Sequence, residues 1–163
     1  MNGSAPFTDL ELRARTIMIV DDEPSNVLLL ETLFSREGFS RLVSVTDPAD
    51  ALQVFIERAP HLVLLDLMMP GIDGYEILES LRRHTPADQF RPVLVLTADR
   101  TQASRHRALA LGAKDFVTKP LDLVEVMLRA TNLLETGLLY ETLADARPPL
   151  AGKGTGAQSG YDC

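Results

Sequence analysis

His61-Leu-Val-Leu-Leu-Asp66-Leu-Met-Met-Pro70-Gly71-Ile-Asp73-Gly74 decides the fold. After one polar residue the run to Leu65 is wholly apolar, as expected for a strand buried on both faces. It ends on a carboxylate, and Pro70, Gly71, Asp73 and Gly74 then mark a turn. Burying an unpaired charge is costly, so an Asp at the end of a buried strand needs a reason. Ligands of open α/β sheets bind at the carboxyl ends of the strands, which makes Asp66 the first candidate for chemistry.

The same grammar repeats on either side. Thr16-Ile-Met-Ile-Val20 is a β-branched strand that runs into Asp21-Asp22-Glu23, and Pro24 follows where a helix should open. Val27, Leu28, Leu30, Leu33 and Phe34 form the apolar stripe of that helix, and Gly38 stops it. Arg41–Thr46 reads as a second strand, followed by Asp47-Pro48 and a helix through Ala51, Leu52, Phe55 and Ile56. After Asp66 a helix is expected over Gly74–Arg83, then a strand Val93–Thr97. Thr101 opens the next helix, which Gly112 caps, and Asp115–Thr118 is a fifth strand closed by Lys119-Pro120. A final helix is expected from Leu121. Five strands alternating with helices through short connections give one parallel sheet covered on both faces. The expected architecture is doubly wound and flavodoxin-like, of order 2-1-3-4-5, with an extended last helix.

That last helix carries two apolar lines. One runs Leu121, Val124, Leu128, Leu134, Leu138, the other Leu133, Leu139, Tyr140, Leu143. Either it packs on the core and frays after Thr136-Gly137, or it protrudes as a signalling or dimerising helix. The expected organisation is an N-terminal extension over 1–15, frayed apart from a helical turn near Leu10–Arg15. A domain over 16–135 follows, then a helix continuation over 136–145 and a disordered tail over 146–163. The tail segment Gly152-Lys-Gly-Thr-Gly156 resembles a phosphate loop but lacks the strand and helix such a loop joins.

Bulk properties narrow the function. The 163 residues are 45% hydrophobic and carry a formal net charge of −7, which argues against a nucleic-acid surface. No apolar run approaches the roughly 20 residues that cross a bilayer, and Met1–Arg15 has no signal-peptide core. The single cysteine, Cys163, has no internal partner. A cytoplasmic location is expected. His61, His84 and His106 lie on separate elements without ligand spacing, and Arg100, Arg105 and Arg107 read as a solvated helix face or a partner surface.

In a parallel sheet the strand ends share one edge, so Asp21, Asp22, Asp66, Thr97 and Lys119 should converge. Three carboxylates together repel, and a hard divalent cation resolves that. A nucleophile, a metal, a lysine and a hydroxyl suit phosphoryl transfer to a carboxylate. Read singly, these aspartates are capping residues, Thr97 is a strand residue and Lys119 a loop lysine.

The ordered motifs Asp21-Asp22, Leu65-Asp66-Leu-Met-Met-Pro70-Gly-Ile-Asp-Gly74, Thr97-Ala98, Gly112-Ala-Lys-Asp-Phe116 and Lys119-Pro120 resemble the receiver domain of two-component response regulators over about residues 16–135. The resemblance implies that Asp66 accepts a phosphoryl group from a sensor histidine kinase or a histidine phosphotransfer protein. It implies Mg²⁺ on Asp21, Asp22, Asp66 and the Met68 backbone carbonyl. Thr97 and Lys119 would hold the phosphoryl oxygens, and the bond before Pro120 would be cis. Thr97 and Phe116 would form the switch, with Phe116 turning inwards as Thr97 moves. Phe116 stands where many relatives carry Tyr, so its output contact would be apolar. Met68 and Asp99 would flank the site. Enzymatic activity would be confined to the chain's own phosphorylation and dephosphorylation, and a homodimer through the last helix is expected.

Three rivals remain. A dehalogenase-type phosphatase needs an acid two residues after the nucleophile, where this chain has Met68. A dinucleotide fold needs a glycine-rich turn where Asp21-Asp-Glu-Pro24 stands. A receiver-fold module acting without phosphorylation keeps the fold alone. Residues Arg129–Thr136 also resemble the linker that joins receivers to cyclic-di-GMP phosphodiesterase domains. The expected output is therefore either docking by a stand-alone receiver or a domain of a longer regulator.

Overall fold

The computed structural model describes residues 6–148. Five strands form one parallel sheet: β1 (Thr16–Val20), β2 (Arg41–Val45), β3 (Leu62–Asp66), β6 (Val93–Thr97) and β7 (Asp115–Thr118), in the order β2-β1-β3-β6-β7. Renumbered over these five, the order is 2-1-3-4-5. Between β3 and β6 lies a small antiparallel ladder the sequence reading missed, β4 (Met68–Met69) with β5 (Ile72–Asp73).

Side-chain alternation along β1 explains the layers. Ile17 and Ile19 face one core with α2 (Pro24–Arg36) and α6 (Leu123–Asp145). Met18 and Val20 face the other, with α3 (Ala51–Arg58), α4 (Gly74–Arg83) and α5 (Gln102–Ala110). β3 and β6 are buried along their whole length, which is why they read as unbroken apolar runs. Helix starts follow local chemistry. Pro24 and Pro48 occupy first-turn positions, and the Asp73, Thr101 and Asp122 side chains accept from backbone N–H groups of the first turn. Gly38 and Gly112, at φ +92° and +111°, take the left-handed position that ends α2 and α5.

At the chain's ends the helices keep their expected places with shifted bounds. The helical turn expected near Leu10–Arg15 is α1 (Asp9–Arg13), held by a reciprocal capping box between Thr8 and Glu11. The last helix is extended as expected: it opens two residues later, at Leu123, and runs unbroken to Asp145, which sets aside the alternative of fraying after Thr136-Gly137. Burial overrides the glycine there. Leu134 and Leu138 sink into the same core as Leu12 of α1, and Arg15 grips Glu141 with two hydrogen bonds of 2.6 Å. The distal helix thus lies against the domain, and of its large apolar residues Leu139, Tyr140 and Leu143 stay exposed. The expected tail falls largely on 149–163, outside the described residues. Among the described residues no helix is long and apolar enough to cross a membrane.

Candidate functional site

Each functional side chain stands at or just beyond the carboxyl end of a strand. β1 delivers Asp21, β3 ends on Asp66, β6 ends on Thr97, and β7 leads into Lys119. Asp21, Asp22 and Asp66 bring one carboxylate oxygen apiece within 4.8 Å of one another. Lys119 Nζ lies 3.1 Å from Asp66 Oδ2 and 3.6 Å from Asp21 Oδ2. The Lys119–Pro120 peptide bond is cis.

Short backbone turns aim these groups. Asp21 Oδ1 accepts from the Glu23 amide, and Asp66 Oδ1 accepts from the Met68 amide, each at 2.9 Å. Thr97 Oγ1 accepts from the Asp99 amide at 3.2 Å, and the Lys119 amide donates to the Thr97 carbonyl. Gly74 lets α4 begin against the loop after Asp66. A Cβ there would fall 2.5 Å from the Leu67 Cα, so any other residue would push the acidic loop away.

The electrostatics are unbalanced. Asp21 and Asp66 are almost completely buried, yet Asp21 Oδ2 makes no hydrogen bond among the described residues. Burial pushes the Asp21 carboxyl above its ordinary range. The Asp66 charge adds to the rise, against the Glu23 amide and Lys119, which lower it. One lysine cannot neutralise three carboxylates. The orphaned oxygen and the all-oxygen donor set fit a hard divalent cation such as Mg²⁺. Met68, which follows Asp66 by two residues, is 60% exposed.

Phe116 lies in the β7 strand opposite Val95, buried in the core, with the Arg105 guanidinium 5.0 Å over its ring. Its ring therefore already lies inward. Sequence reading missed a contact beside it: Tyr75 of α4 and Ser104 of α5 join hydroxyls at 2.5 Å, while Arg107 stacks over Tyr75 at 3.9 Å. The helical spacing of Ser104 and Ala108 marks the inner face of α5 and could have pointed to it. Arg100 donates to the Lys119 carbonyl. The three histidines stay apart from the acidic cluster.

Comparison with known proteins agrees with this geometry. Residues 17–131 match the family described as the response regulator receiver domain. The probable transcriptional regulator ycf27 of Cyanophora paradoxa is 38% identical over 125 residues, 77% of this chain and 50% of its own length. Among solved structures, NtrX from Brucella abortus superposes with TM-score 0.73 at 31% identity, covering 82% of this chain and 30% of that one. The CheX–CheY–BeF3–Mg complex from Borrelia burgdorferi gives TM-score 0.67 at 27% identity, with 73% and 88% covered. The chain spans about half the length of the curated relatives it matches.

Proposed function

The chain belongs to the response regulator receiver family, and from that membership we propose that Asp66 is the phosphoryl acceptor of a two-component signalling switch. The supporting observation is the convergence of Asp21, Asp22 and Asp66 on one another and on Lys119 at the sheet's carboxyl edge.

An Asp66 oxygen attacks the phosphorus of a phosphohistidine on a sensor kinase or phosphotransfer protein. The P–N bond breaks, its electron pair returns to the imidazole, which takes up a proton, and Asp66 becomes an acyl phosphate. Asp21, Asp22, Asp66 and the Met68 carbonyl would hold Mg²⁺, which offsets phosphoryl charge when bound. Lys119 leaves the carboxylate for a phosphoryl oxygen, and Thr97 donates its hydroxyl to another. Moving Thr97 releases the Asp99 amide and disturbs the β6–β7 pair that seats Phe116. The surface of α5, β7 and α6 then shifts between two arrangements. With Met68 in the acid/base position, no external substrate is turned over. Because Leu134 and Leu138 are buried, a homodimer through α6 would use the exposed Val124 and Leu128 or Leu139 and Leu143.

Intact mass after incubation with acetyl phosphate tests the assignment. Wild type should gain one phosphoryl group only with Mg²⁺, and Asp66→Ala none. If wild type gains none and also fails to bind a beryllium fluoride complex, the proposal falls, leaving a receiver-fold module that acts without phosphorylation.

A further inference from the structure

The opposite end of the sheet holds a second site. Between α4 and the loop joining it to β6, the first residue of β6, the turn that precedes β7, and the distal half of α6 lies a cavity of about 570 Å³. That is within the range of small-molecule pockets, roughly 300–1,000 Å³. Arg82, Arg91 and Lys114 line it, and no Asp or Glu does, in a chain whose formal net charge is −7. None of the three cations forms a salt bridge among the described residues. Solvated surface lysines and arginines in an acidic protein ordinarily sit among carboxylates; Arg82 and Lys114 face this cavity without one, while Arg91 stands between it and an adjoining cavity that carries Asp88 and Glu141.

The wall is partly pre-set. Gly112 has no Cβ, and the Arg82 stem occupies that place, 2.7 Å from where the atom would stand. Arg82 Nη1 donates to the Ala110 carbonyl, which fixes the guanidinium, and Arg91 Nε is held by Gln89 Oε1 at 2.7 Å. Both keep further N–H groups for a ligand. An aromatic surface lies beside them: Phe90 and Tyr140 stack at 5.9 Å, and Lys114 Nζ sits 6.0 Å from the Phe90 centroid. Tyr140 is 43% exposed, so it retains ring surface for stacking.

We propose that this cavity binds a small anion of the nucleoside-phosphate class, its planar base against Phe90 and Tyr140 and its phosphates on Arg82, Arg91 and Lys114. Fixed guanidiniums lose little freedom on binding, and planar forks match phosphate oxygens. Such a ligand would tie the α4–β6 loop to α6 at the edge remote from Asp66.

Calorimetry on the full chain without Mg²⁺, which removes metal-bridged binding at the acidic cluster, tests this with ATP, adenosine and pyrophosphate. ATP should bind with Kd below roughly 1 mM, more tightly than either fragment. Amide shifts should centre on Phe90, Lys114 and Tyr140. The exposed Lys114→Glu should weaken ATP at least tenfold, and Phe90→Ala should remove the preference for ATP over pyrophosphate. No ATP binding, equal affinity for ATP and adenosine or pyrophosphate, or indifference to Lys114→Glu in a protein of unchanged circular dichroism would overturn the proposal.

Discussion

The two edges of the one sheet are built on opposite terms. At the carboxyl edge three carboxylates crowd one lysine, and a buried oxygen of Asp21 lacks a hydrogen bond. At the amino edge, around the starts of β1 and β3, the polar groups are matched. The Thr16 amide donates to His61 Nδ1 at 2.9 Å, the His61 amide to the Thr16 carbonyl, and Arg15 holds Glu141 bidentately. α1 and distal α6 then cover that edge with apolar contacts. The difference teaches where stability is stored and where it is given up. On the proposed function, a site that accepts a cation and a phosphoryl group stays under-compensated, and the remote edge supplies the rigidity that keeps it so.

The largest effect should come from the clamped edge. Leu134 is 1% exposed and lies in α6 beyond the matched family segment. Leu134→Ala should cost about 2–5 kcal/mol in urea unfolding, as core leucines do when a cavity is left. Phosphoryl uptake by the remaining folded protein should be unchanged. A cost below about 0.5 kcal/mol would show that distal α6 is only draped on the domain, and the contrast between the edges would break.

This contrast was only half legible in the sequence. The carboxyl edge was legible because its signals are local: an apolar run ending on Asp66, Pro24 after Asp21-Asp22, Lys119 beside Pro120. Topology then places every strand end on one side. The amino edge depends on contacts between residues far apart, such as Arg15 with Glu141, for which periodicity carries no signal. Gly137 argued for fraying through propensity alone, and tertiary burial of Leu138 outweighed it. One local sign was present and passed over: Thr8-Asp-Leu-Glu11 has the spacing of a capping box. The β4–β5 ladder is two residues per strand, too short for alternation to reveal.

The next effect belongs to the carboxyl edge and has a definite sign with pH. Burial raises the Asp21 pKa, so between its ordinary value near 3.9 and the raised one the native state holds more protons than the unfolded. Stability from this group is therefore present at low pH and lost as pH rises through the folded pKa. Asp21→Asn keeps an acceptor for the Glu23 amide and removes the buried charge. Without Mg²⁺ it should stabilise neutral-pH protein by about 1–3 kcal/mol and flatten that fall, while weakening Mg²⁺ binding. Equal stability of variant and wild type from pH 4 to 8 would mean the edge is not frustrated.

The smallest effect runs the other way. At the amino edge Glu141 is held below its ordinary pKa, first by the hydrogen bonds from Arg15. Its contribution is present above that ordinary value and lost as pH falls through the folded pKa. His61 is also lowered, by burial first and then by the Arg15 charge, so its neutral form is favoured and stability is lost on acidification below its ordinary value. Acid should thus loosen this edge while relieving the other. Arg15→Ala should cost only about 0.5–1 kcal/mol, because Glu141 is half exposed and water screens the pair. The sharper readout is the His61 imidazole followed by NMR. Removing Arg15 takes away a cation that disfavours protonation and leaves Glu141 unpaired nearby, so the His61 pKa should rise in the variant while burial still keeps it below the ordinary value. A His61 titration identical in both proteins would separate the histidine from the clamp and leave burial as its main control.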